Sequence, residues 1–119
     1  MKYSLISDLS FQFSLRIIGL YKKLIEEREY IISKQLLRCS TSIGANIAEA
    51  HEAFSKRDFA YKMSIAKKEA RESQYWLKLL QMGKLTECEL KTYLDEIKQI
   101  IRILTSIVKS TMENMDNNS

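Results

Sequence analysis

Proline is absent from the 119 residues of this chain, glycine occurs three times, cysteine twice, and histidine and tryptophan once each. So few chain breakers leave long stretches with nothing to interrupt a helix, and Lys, Glu, Leu, Ile, Ala and Gln fill much of the rest. These residues lose least on entering a helix, so an all-α fold is expected. The two cysteines, Cys39 and Cys88, show no CxxC or Cys/His spacing. That argues against a zinc ribbon or a disulfide framework and fits a reducing cytoplasm. Long apolar runs are also missing. Even in the apolar N-terminal stretch Asp8, Gln12 and Arg16 recur at every turn, and nothing approaches the roughly 20 residues a bilayer crossing needs, so no membrane contact is expected.

What is present is an ordinary apolar content, a mild excess of positive charge (formally +4) and a pI near 9.1. This length suits one continuous core, so residues 1–119 read as a single domain. The charge permits an affinity for RNA, DNA or an acidic protein partner without requiring one.

Apolar periodicity divides the chain into four helices, at about 8–27, 30–54, 56–82 and 87–112, with a frayed tail over 113–119. In the first, Leu9, Phe13, Ile17, Leu20 and Leu24 form a core stripe, while Phe11, Leu15, Ile18, Tyr21 and Ile25 form a second apolar stripe. A bundle helix needs only one such face, so the second is expected against another subunit. Glu26 to Glu29 has no apolar period and reads as the first turn. The second helix carries Ile32, Leu36, Cys39, Ile43, Ile47, Ala50 and Phe54 as its core stripe. Small residues from Ser40 to Ala48 would let a neighbouring helix approach closely.

Ser55 and Asp58 read as the cap of the third helix, with Gly83 as its left-handed C-terminal residue; Thr86 and Glu89 read as a capping box opening the fourth. Four helices with short connections give an antiparallel up-down-up-down four-helix bundle.

Catalytic constellations are not found. A carboxylate-bridged di-metal site in such a bundle needs paired Glu-x-x-His motifs, whereas the single histidine, His51, has Ala48 where the paired Glu would stand. Neither cysteine has a histidine at a predictive spacing, and the Ser40-Thr41-Ser42 hydroxyls sit inside a helix, where they bond back to helix carbonyls. The three scattered glycines form no phosphate-cradling loop. No catalytic residue, metal or cofactor is expected, and the chain reads as a non-enzyme.

The third helix is three-sided when projected at about 100° per residue. Lys56, Arg57, Lys67, Lys68, Arg71 and Lys78 share one side with no acid among them. Asp58, Glu69 and Glu72 lie on another with Tyr61, Ile65, Trp76 and Leu79. The unbroken basic side is a candidate phosphate-binding face for RNA or DNA. The fourth helix instead interleaves Glu87, Lys91, Asp95, Lys98, Arg102, Lys109 and Glu113, as solvated faces do. Asn46 and Glu49, within the small-residue stretch, are candidates for a register-setting hydrogen bond between helices or subunits. Trp76 is a candidate interface aromatic.

The stretch from Ser42 to Ala50, Ser-Ile-Gly-Ala-Asn-Ile-Ala-Glu-Ala, preceded by Leu36-Leu37-Arg38, resembles the bacterial four-helix-bundle family encoded within intervening sequences of 23S ribosomal RNA genes. A second block of that family is matched from Ile65 to Leu77, Ile-Ala-Lys-Lys-Glu-Ala-Arg-Glu-Ser-Gln-Tyr-Trp-Leu. Gly44 stands where many members have Pro and Ala50 where many have Gly, which should leave the second helix straighter. The resemblance implies a homopentameric ring of up-down bundles with no demonstrated enzymatic activity. It also implies kinship with the accessory protein of diversity-generating retroelements, a pentamer that binds nucleic acid and a reverse transcriptase. Occurrence within a ribosomal RNA gene does not by itself make a protein part of the ribosome.

Overall fold

A computed structural model describes residues 2–117, and the side chains up to residue 116. Four helices, α1 (Lys2–Glu26), α2 (Ile32–His51), α3 (Lys56–Met82) and α4 (Lys91–Asn117), form an all-α bundle measuring 52 × 23 × 22 Å. Each helix packs on two neighbours, α1 on α2 and α4, α3 on α2 and α4, without diagonal contacts. Consecutive helices lie side by side and their connections are short, so the arrangement is antiparallel.

Heptad spacing builds the core. Along α3 the buried residues Met63, Ala66, Ala70, Ser73, Leu77 and Leu80 alternate steps of three and four. Ile6, Ser10, Phe13, Ile17, Leu20 and Leu24 do the same along α1. That period keeps one stripe facing its partners over the whole helix.

Where α3 begins is settled locally. Ser55 is extended (φ −151°, ψ 165°) and its side chain accepts the Asp58 N–H at 3.0 Å, as the Ser55/Asp58 pattern predicts. α2 stops at His51 rather than reaching residue 54, the backbone leaving the helix at Glu52 (φ −99°, ψ 14°) three residues before the extended Ser55. Phe54, expected in the core, therefore stands fully exposed in the connection. At its other end α2 starts at Ile32 rather than residue 30, because the Glu29 carboxylate accepts the amides of Ile31, Ile32 and Ser33.

Two helices end on a left-handed residue that is not glycine. Arg28 (φ 66°) follows α1 and Lys84 (φ 55°) follows α3. The Glu29 N–H bonds the Leu24 carbonyl at 2.9 Å, and the Leu85 N–H bonds that of Leu80 at 3.0 Å. These are two Schellman closures of the same form. Gly83 is right-handed (φ −79°), one position short of the left-handed role expected for it. What it provides is space, since a Cβ there would stand 2.7 Å from the Leu79 carbonyl oxygen.

The opening of α4 also differs from expectation. The helix begins at Lys91, not 87, and continues through residues 113–117, which were expected to fray; residues 118 and 119 lie outside the described range. Thr86 does not cap it. Its hydroxyl donates to Glu27 at the end of α1 and accepts the Cys88 N–H, while the Glu27 carboxylate also accepts the Glu87 N–H at 2.9 Å. Those bonds hold the Glu27 carboxyl below its usual range and tie the α3–α4 connection to α1. Glu89 caps α4 instead, its carboxylate accepting the Lys91 N–H at 3.0 Å. Leu9 and Ile32, read as core, are half-buried at its edge.

Candidate functional site: two surfaces of the bundle

Small side chains set the spacing of α2 against its neighbours. On the α3 side, Ser40 and Ser73 are fully buried, with their hydroxyls 3.0 Å apart, and Ser73 also donates to the Glu69 carbonyl. Ser40 thus reaches across to α3, whereas Thr41 and Ser42 bond back to the Leu37 and Arg38 carbonyls as expected. Cys39 lies in the same seam, where burial pushes its thiol up to about 11, so it stays protonated and unreactive at neutral pH.

On the α1 side, a Cβ added at Gly44 would meet Ser10 at ordinary contact distance. Above this seam runs a shallow groove of about 350 Å³ lined by Ser7, Ser10, Phe11, Ser14, Thr41, Gly44, Ala45 and Ala48. Phe11 (60 % exposed), Leu15 (49 %) and Ile18 (37 %) continue along α1 beside it. The second apolar stripe of α1 is thus uncovered at these three positions within one chain, while Tyr21 and Ile25 are half-buried.

The mixed face of α3 has a partner within the chain. Arg38 of α2 pairs with Glu69 (3.5 Å) and Glu72; the Trp76 indole N–H donates to Glu72 at 3.1 Å; and Lys62 bonds Glu49 of α2 at 3.0 Å. The Glu49 carboxylate holds the Lys62 ammonium pKa above its usual value. Within the chain, Glu69, Glu72 and Trp76 belong to the α2–α3 seam, because Arg38 stands opposite them. Glu49 does link two helices. The Asn46 amide donates to the Ser42 carbonyl of its own helix at 2.8 Å.

The basic face of α3 turns toward α4. Lys67, Lys68 and Arg71 line a groove with Ser64 and Val108, and Lys78 lines another with Leu94, Asp95 and Lys98. Lys56 and Arg57 are exposed at the start of the helix. None of these six candidates forms an ion pair among the described residues, whereas Arg16, Arg38, Lys62 and Lys91 each do. The interleaved reading of α4 missed a continuation of this face. Lys98, Arg102 and Lys109, spaced by four and seven, are exposed along α4, and Lys98 shares its groove with Lys78. Only the packing of α3 against α4 brings the two rows together, so neither helix alone reveals them. Asp95, the acid at this edge, is held by Lys91 at 3.0 Å.

His51 is exposed and stacks on Tyr3, with ring centroids 5.4 Å apart. The Tyr3 hydroxyl donates to the Ile47 carbonyl at 2.8 Å, and burial raises its pKa. Among the described residues no group of three or more His, Cys, Asp and Glu is placed to hold a metal ion. Nor, among the described residues, is any helix long and apolar enough to cross a membrane.

Fold and surfaces together define an α-helical bundle whose conspicuous features lie on its exterior, an apolar stripe on α1 and a basic face shared by α3 and α4. The chain belongs to the 23S rRNA-intervening sequence protein family, whose model matches residues 4–106. It is also similar to a protein of unknown function from the S23 ribosomal protein family of Bacteroides thetaiotaomicron VPI-5482, known from a crystal structure. The two share 44 % identity with a TM-score of 0.85, over 92 % of this chain and 99 % of that one. No curated protein matches the sequence.

Proposed function

We propose that the chain is a non-enzymatic, homo-oligomeric interaction module, pentameric by the family resemblance, that assembles and presents a surface to a partner. The observation that carries this reading is the uncovered stripe of Phe11, Leu15 and Ile18 beside the small-residue groove of α2. Large apolar side chains in a row, next to a surface that allows close approach, are the usual makings of a subunit contact. Light scattering on the purified protein tests it. A fivefold multiple of the 13.9 kDa chain mass is expected; a stable monomer at high concentration would overturn the reading.

A second reading, binding of RNA or DNA phosphates, is favoured by a separate observation: the six cations of the basic face of α3 form no ion pair among the described residues, and α4 extends their row. Contact with about five phosphates of a single strand implies an affinity that falls by roughly 100-fold between 50 and 200 mM salt. Reversing Lys67, Lys68 and Arg71 to Glu should abolish it. Binding indifferent to both salt and charge reversal would exclude this face.

A further inference from the structure

The outermost row of α3 is neither apolar nor uniformly charged. Tyr61, Lys68 and Tyr75 recur at seven-residue intervals, and the adjacent row carries Arg57, Ser64, Arg71 and Lys78 at the same interval. Tyr61 is 63 % exposed and Tyr75 57 %. Neither ring is needed in the core. Tyr75 is braced from below, edge-on to Trp76 with centroids 5.2 Å apart, and Trp76 is itself held by its bond to Glu72. A tyrosine so placed keeps much of its ring surface in water while losing little freedom on meeting a flat partner.

From this placement we infer that the outer row of α3 is a platform for an unpaired nucleic-acid strand. Bases stack on Tyr61 and Tyr75 while phosphates are met by Lys68, Arg71 and Lys78 of α3 and by Lys98 of α4. The inference rests on the phosphate-binding reading above and specifies its ligand. Fourteen residues of helix separate the two tyrosines, about 21 Å, which leaves room for a few nucleotides between stacking points. Aromatics interleaved with cations along a line suit single strands, because every free base has a π-face and the backbone follows the charge. A duplex offers these rings nothing, its bases being stacked on one another. Nor does an RNA duplex offer α3 a groove to read, since its A-form major groove is deep and too narrow for side chains.

Fluorescence anisotropy with the full chain separates the possibilities, using a labelled 20-nucleotide oligo(U) and an RNA duplex of equal length at low salt. The expected result is at least tenfold tighter binding of oligo(U). Tyr61→Ala and Tyr75→Ala should each weaken it by roughly 5- to 100-fold, the worth of one stacked base. The corresponding Phe variants should retain it, and the salt slope should not change. Both tyrosines are exposed, so circular dichroism melting is expected to show the Ala variants folded; if it does not, the Phe variants and the duplex comparison still decide. Equal affinity for the duplex, with Tyr→Ala neutral, would overturn the platform and leave the phosphate-binding reading standing. Binding of neither nucleic acid, or adsorption only to vesicles containing phosphatidylserine, would overturn both.

Discussion

Arg28 and Lys84 hold a backbone conformation that an L-residue reaches at a cost of roughly 1–2 kcal/mol, and each closes a helix end on a Schellman pair of hydrogen bonds. At position 84 the left-handed requirement falls one residue after the glycine, so Lys84 carries the strain and Gly83 the close approach to Leu79. The two positions should respond in opposite directions. Lys84→Gly relieves the strain but adds freedom to the unfolded chain, for a net gain of about 0.5–1 kcal/mol. Gly83→Ala forces a Cβ toward a carbonyl and should lose about 1 kcal/mol or more. Urea midpoints at unchanged slope would register both, and a stabilising Gly83→Ala would show that the chain end relaxes freely. The sequence reading placed the left-handed residue at Gly83, one position early, because a glycine is the residue that adopts that conformation most readily and nothing local assigns it to Lys84.

At the level of elements, what was legible depended on how local the determining interaction is. The bounds of α3 at both ends could be read, since Ser55 and Asp58 sit within one turn and the heptad runs unbroken to Leu80. The end of α2 could not. Phe54 continues the apolar period of α2, but the backbone has already left the helix at Glu52, which strands the ring in solvent. The start of α4 misled for a related reason: Thr86 has cap-like spacing to Glu89 but is taken by Glu27, a residue far away in sequence. The α2–α3 seam shows the same dependence on partners from another helix. Ser40 and Ser73 are individually unremarkable helix serines, yet they share one buried hydrogen bond. Removing the Ser73 hydroxyl takes away the acceptor of the buried Ser40 hydroxyl and should cost about 1–2 kcal/mol, whereas Ser40→Ala leaves Ser73 bonded to the Glu69 carbonyl and should cost less. The double variant Ser40→Ala/Ser73→Ala should cost less than the sum, as a double-mutant cycle in urea would read. Strict additivity would mean that the two hydroxyls are satisfied independently.

For the whole molecule, the decisive question is what covers Phe11, Leu15 and Ile18. The stripe was legible as a surplus, because the core face of α1 is already complete with Ile6, Phe13, Ile17, Leu20 and Leu24, all of them buried. Full burial of one such side chain contributes about 1.5–3 kcal/mol. Phe11 and Leu15 have roughly half of their surface still to lose, so each would add on the order of 1 kcal/mol to every subunit contact it enters. In a closed ring the contact repeats once per subunit, and a modest local loss is multiplied around the ring. Phe11→Glu with Leu15→Glu places two desolvation-averse charges in that contact without touching the core. Circular dichroism should show the variant as helical as the parent, while light scattering should show its mass falling to that of one 13.9 kDa chain. The thermal midpoint should then lose the dependence on protein concentration that an assembling parent shows. A variant that keeps the parent's assembled mass would exclude this stripe as the assembly surface and send the search to the other exposed apolar side chains, of which Phe54, Ile31 and Met82, at the ends of the bundle, are the most uncovered.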